Sequence, residues 1–118
     1  MTQKNTWEVL HAKSEALAIE ASIANKNRDA AIAQDFYKRA ARFENEAFNI
    51  LDASKTRTRG ITAVSAAALW FKGGEYAQAA QIAHVALADA TMPDFARQEL
   101  RNLMQAIFTE STKQAAGA

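Results

Sequence analysis

The chain predicts an all-α fold, and three features of its sequence carry that expectation. Alanine is abundant while the 118 residues hold only four glycines and one proline; alanine has the lowest helical cost of any residue, and glycine and proline the highest. Apolar residues recur at three-and-four spacing through most of the chain, the period of a helix face rather than of a strand. Breaks in that pattern divide the chain into about five antiparallel helices, near residues 6–24, 28–53, 61–72, 75–90 and 93–110. The length suits one domain, residues 1–118, with one core.

The first helix is predicted to open at Asn5, which can cap, with Glu8 three residues on to reach back to the cap amide. Two adjacent stripes follow, Leu10, Leu17, Ala21 and Ala24 beside Val9, Ala12, Ala16, Ile19 and Ile23, and together they predict one wide buried face. Asn25, Lys26 and Asn27 supply the first turn, since Asn tolerates the left-handed conformation of a helix end. The second helix carries Ala33, Phe36, Ala40, Phe43, Ala47 and Ile50 at alternating three-and-four spacing, a packing seam flanked by a charged surface.

Residues 54–60 contain no apolar side chain and read as an interhelix loop. The run from Ile61 to Phe71 has no charge on any face, which predicts a central helix buried nearly all round. Gly73 and Gly74 break it by supplying positive φ. The fourth helix turns Tyr76, Ala79, Ala83, Ala86 and Leu87 to one face. Thr91, Pro93 and Asp94 restart the chain with a cap, a residue suited to a first turn, and an acid for the positive end of the helix dipole. The fifth helix points Ala96, Leu100, Leu103 and Ile107 inward, and residues 111–118 are expected to fray.

Composition narrows the function classes. The 14 Lys and Arg against 13 Asp and Glu give no global field of the kind a dedicated nucleic-acid or membrane-surface binder carries. The absence of Cys excludes disulfides and thiol chemistry, and two histidines are too few for a structural zinc site. The segment MTQKNTWEVL lacks the apolar core of a signal peptide, and no stretch approaches the roughly 18 apolar residues of a membrane span, so the expected address is cytoplasmic.

Residues 63–93 resemble a tetratricopeptide repeat, a helix pair whose small and aromatic residues interlock. Gly74, Glu75 and Tyr76 stand at the family's Gly-Asp-Tyr turn, with Ala67, Trp70, Ala79 and Ala86 at its small and aromatic positions. Ala63, Ala66 and Ala83 depart from the consensus, and Pro93 lies two residues beyond the consensus position. Tyr37, Ala40 and Ala47 repeat the pattern upstream at an offset longer than the family's. The resemblance implies a right-handed array or bundle of helical hairpins and a non-enzymatic adaptor or regulatory subunit, one that binds a partner peptide or helix and can self-associate as a homodimer.

By that resemblance the partner-binding positions are Ile61, Val64, Ala68, Phe71 and Lys72. They form an apolar groove if uncovered, and core if another helix or a second copy covers them. The alternative is an anion or nucleic-acid site built from Lys38, Arg39 and Arg42 with Lys55, Arg57 and Arg59 of the expected loop. Glu44, Glu46 and Asp52 dilute that field, which ranks nucleic acid behind protein as a partner.

No phosphate-cradling Gly loop, HExxH or Gly-x-Ser-x-Gly motif is present, and no catalytic residue, metal or cofactor is expected. Glu8, His11 and Glu15 share a helix face and read as a solvated polar stripe. Arg97 and Arg101, similarly spaced, read as a wet pair able to grip an acidic partner segment.

Overall fold

Capping and turn chemistry place five helices along the chain: α1 (Trp7–Lys26), α2 (Ala30–Ile50), α3 (Thr56–Lys72), α4 (Tyr76–Leu87) and α5 (Asp94–Gly117). The computed structural model describes residues 5–117; residues 1–4 and Ala118, the ends of the expected domain, lie outside the described residues. Among the described residues there is no strand. The cap of α1 is Thr6 rather than Asn5, its hydroxyl accepting from the Val9 amide at 3.3 Å. The Asp29 carboxylate caps α2 in the same way, through the Ile32 amide.

The helices pack in sequence, α1 on α2, α2 on α3, α3 on α4 and α4 on α5, and α3 also meets α5. Connections as short as Gly73 to Glu75 allow such packing only if the chain reverses between helices. The Cα trace measures 43 × 37 × 20 Å, so its thinnest dimension is about two helix diameters. One apolar cluster joins α2, α3, α4 and α5. Fully buried alanines, among them Ala40, Ala63, Ala67, Ala79 and Ala96, let the helix axes approach, and Phe48, Trp70, Ile82, Leu100 and Ile107 fill the space between them. The buried residues of α1 stand outside that cluster, and only Leu17 and Ala18 of α1 touch its edge.

Several expectations are corrected. Asn27 does cap the end of α1, but with φ of −85°, and the left-handed turn conformation falls to Arg28, with φ of 60°. Ile19 and Ile23 are exposed, 58% and 47%, because α1 packs chiefly along α2 and one main neighbour covers a narrower stripe than the sequence offers. Ile50, assigned to the α2 seam, is also half exposed, as the last residue of its helix. The charge-free segment of α3 is not buried all round, since Ile61 is exposed and Val64, Ser65 and Ala68 are only half-buried.

The expected loop 54–60 is mostly the first turn of α3, which begins at Thr56. Two features hid it. Gly60 is buried where α3 meets the start of α5, and a Cβ there would stand 3.1 Å from the Ala96 Cβ and 3.2 Å from the Pro93 ring, so a missing side chain makes the packing contact. Arg59 replaces an apolar residue by laying its guanidinium 4.5 Å from the Phe48 ring centroid. At the other end of α3, Gly74 alone has positive φ, whereas Gly73 is needed because a Cβ would come within 2.9 Å of the Lys38 side chain. The tail expected to fray is helical through Gly117: Thr109, Ser111 and Thr112 each return a hydroxyl hydrogen bond to the carbonyl four residues earlier.

Candidate functional site

The outer ridge of α2 carries Arg42, Asn45 and Asn49 at three-and-four spacing, with Arg39, Phe43 and Glu46 beside them. Facing this ridge, α4 presents Gln78, Gln81 and Val85, again at helical spacing. Between the two helices Trp70 of α3 rises from the core, 92% buried, with Phe48 and Ile82 around it. Two adjoining clefts result. One of 320 Å³ lies between α2 and α4, and one of 480 Å³ runs along α2 past Arg42 and Arg39; Asn45, Asn49 and Trp70 line both.

The Trp70 indole N–H donates to the Asn45 side-chain oxygen at 2.9 Å. That bond uses the amide's acceptor and orients its NH2 as a donor for whatever occupies the cleft. Among the described residues, the side chains of Asn49, Gln78 and Gln81 form no hydrogen bond with another protein group, and Arg42 has no carboxylate within 4.0 Å. Arg39 sits 5.4 Å from the Phe36 ring centroid, with Asp35 at 4.0 Å. The lining thus combines four amides, two guanidinium groups and one carboxylate over an aromatic and aliphatic floor. Such a surface can pair with main-chain amides and accept apolar side chains. It brings together no base and nucleophile, and no three metal-ligating side chains gather among the described residues.

The positions expected from the sequence are distributed differently. Ile61 and Ala68 lie on the face of α3 about half a turn from Trp70, by the 3.6-residue repeat. Val64 packs against the core, and Phe71 does too, its ring 5.5 Å from Tyr76. Lys72 reaches the Tyr37 ring at 5.6 Å and lines a separate 330 Å³ cleft with Asn25, Gln34 and Tyr37. Among these positions Ile61 and Lys72 are exposed, and the other three are half-buried.

The six basic residues do not gather into one patch. Lys38 pairs with Glu75 at 3.4 Å, tying α2 to the start of α4. Lys55 lines a cleft with Trp7, Glu8 and Thr58. Arg57 lies 5.6 Å from the Phe95 ring centroid. Arg59, expected on a solvated loop, is mostly buried in α3: besides stacking on Phe48 it donates to the Leu51 carbonyl and stands 3.6 Å from the Asp89 carboxylate. Arg39 and Arg42 remain together on the cleft.

Two polar groups read as wet surface are structural. His11 does not share a solvated stripe with Glu8 and Glu15; its Nδ1 meets both carboxylate oxygens of Glu44 on α2, at 2.9 and 3.2 Å. Glu44 is 99% buried, and the His11 ring stacks on Trp7 at 4.6 Å. The Trp7 indole N–H donates in turn to Thr62 of α3. Arg97 closes the end of α4 by donating to the Leu87, Asp89 and Met92 carbonyls, so no pair with Arg101 is left to hold a partner.

The spacings Asn45/Asn49 and Gln78/Gln81 are visible in the sequence. Amides at helical spacing are ordinary solvated surface, however, until the fold sets two such rows over a common floor. Compared with protein-family models, curated proteins and solved structures, the chain matches none of them.

Proposed function

We propose that the protein is a non-enzymatic interaction module that holds an extended segment of a partner protein in the α2–α4 cleft. The supporting observation is the set of four side-chain amides around Trp70, of which only the Asn45 oxygen is engaged within the protein. An amide side chain offers one acceptor and two donors, the complement of a peptide unit. The spacing also fits: Asn45 and Asn49 are about 6 Å apart along α2 at 1.5 Å per residue. Every second peptide unit of an extended chain recurs at about 6.6 Å. The apolar floor supplies contact area between the polar rows, as in other clefts that take mixed ligands.

This reading keeps the interaction role that the tetratricopeptide resemblance implies but moves it from Ile61, Val64, Ala68, Phe71 and Lys72 to the residues around Trp70. A helical partner fits the cleft less well, because a helix has already satisfied the main-chain groups that the amides would bind.

The test is selection of random octapeptides against the immobilised protein, followed by 15N NMR of the protein with a selected peptide. Shifts concentrated on the side-chain NH2 signals of Asn45, Asn49, Gln78 and Gln81 and on the Trp70 indole are expected, with at least tenfold weaker binding in Asn49→Ala/Gln78→Ala. Failure to select any binder, or shifts centred on Ile61 and Ala68 instead, would overturn the proposal.

A further inference from the structure

Resting on the peptide-cleft reading, we infer that the cleft is directional and selects an extended segment carrying an internal Asp or Glu, which Arg39 and Arg42 grip while Asn45 and Asn49 hold the main chain. The charges lining the cleft are unbalanced. Arg39 and Arg42 face one carboxylate, Glu46, and lie toward one end, whereas the α4 wall is uncharged where it meets the cleft. Arg42 has no carboxylate within 4.0 Å among the described residues. The Asp35 contact of Arg39 is a long one between exposed side chains, which an incoming carboxylate can replace at little cost.

Guanidinium groups are suited to this task because their planar fork matches a carboxylate, and a charge-assisted hydrogen bond is stronger than one between neutral groups. The helix sets the register. Arg42 and Asn49 are seven residues apart, about 10.5 Å along α2, which an extended chain covers in about three residues. The whole row from Arg39 to Asn49 spans about 15 Å, room for four or five extended residues. The acid therefore belongs about three residues from the peptide unit bound at Asn49. Trp70, under the middle of the row, takes the side chain between them.

The probes are two octapeptide pools, acetylated and amidated so that no terminal charge is present, identical except for Glu or Gln at one fixed position. Capture on the immobilised protein at low salt is expected to recover the Glu pool at least tenfold over the Gln pool. The ratio should fall toward one at 0.5 M salt as screening shortens the reach of the charges. Arg39→Gln/Arg42→Gln is expected to lower recovery of the Glu pool to that of the Gln pool, while Asn49→Ala/Gln78→Ala abolishes capture of both. Equal recovery of the two pools, with the cleft amides still shifting in NMR, would overturn the acidic specificity and leave the cleft reading standing. Capture of a third, control pool left with a free C-terminal carboxylate, and of neither amidated pool, would likewise overturn the internal-acid assignment. No capture of any pool, with the variants folded, would remove both.

Discussion

Helix α1 and the α3–α5 region both bury apolar side chains, Leu10, Ala21 and Ala24 in the case of α1, but α1 adds a polar fastening that involves the buried Glu44 of α2. In the α3–α5 region, alanines at zero exposure bring the helices together, Leu100, Ile82 and Ile107 close the space between them, and each helix touches at least two others. Helix α1 has one extensive neighbour, leaves Ile19 and Ile23 in water, and is fastened near its start by polar and aromatic contacts: His11 on Glu44, Trp7 stacked on His11, and Trp7 bonded to Thr62. Burial of apolar area is non-directional and scales with area, whereas a buried ion pair depends on each partner. The first region should lose stability in proportion to the volume removed, and α1 should in addition be sensitive to deletion of the group that satisfies Glu44.

The largest effect expected from this contrast is at Leu100, a fully buried side chain of the common cluster. Leu100→Ala should lower the global unfolding free energy by about 3 kcal/mol, the usual cost of a cavity that its neighbours only partly fill. Urea unfolding followed by circular dichroism measures it. Every helix should lose its signal in one shifted transition; survival of α3–α5 at wild-type urea concentrations would break the claim that the cluster is the main source of stability.

His11→Ala should come next, at about 2 kcal/mol, because it strands the Glu44 carboxylate inside the protein with no partner. His11 is itself one-third exposed, which holds the value below that of a fully buried pair. Replacing both residues, as in His11→Leu/Glu44→Met, should restore most of the loss, since apolar side chains of similar volume often match a buried ion pair. Hydrogen exchange separates this from the Leu100 effect: His11→Ala should speed exchange in α1 first and leave α4 and α5 near their original rates. Uniform acceleration across the five helices would show α1 to be part of the same cooperative unit.

These two sites also show what the sequence could and could not convey. The number of helices, their order and the inward alanines of α2 to α5 follow from three-and-four spacing, which depends on each helix alone. Residues whose role depends on a neighbour are not legible in the same way. Glu44 stands among Arg42, Asn45 and Glu46 and looks like solvated surface until α1 brings His11 onto it. Gly60 looks like a loop until α5 arrives with Ala96, and Arg59 looks exposed until Phe48 lies under it. Ile19 and Ile23 show the opposite case, since an apolar stripe favours cover without ensuring that a neighbour exists. The cleft around Trp70 belongs with Glu44: its amides were legible as residues, and their convergence was not.

The smallest predicted effect tests whether the α3–α5 region holds any polar contact that responds to pH. Asp89, between α4 and α5, accepts from the hydroxyl and the backbone amide of Thr91 and faces Arg59. The Thr91 hydroxyl bond, then its amide bond, hold the Asp89 carboxyl below the usual carboxylate range, with a lesser contribution from the Arg59 charge. A carboxyl whose pKa is lower folded than unfolded adds stability above its unfolded value, about 3.9. That stability disappears as pH falls through the folded value. Wild-type protein should therefore exceed Asp89→Asn in urea midpoint at pH 7, and the gap should narrow as pH falls below the unfolded value and through the lowered folded one. Because the group is accessible to water, the gap should be smaller than either effect above. A difference that persists unchanged at acid pH would assign Asp89 a role in shape rather than charge.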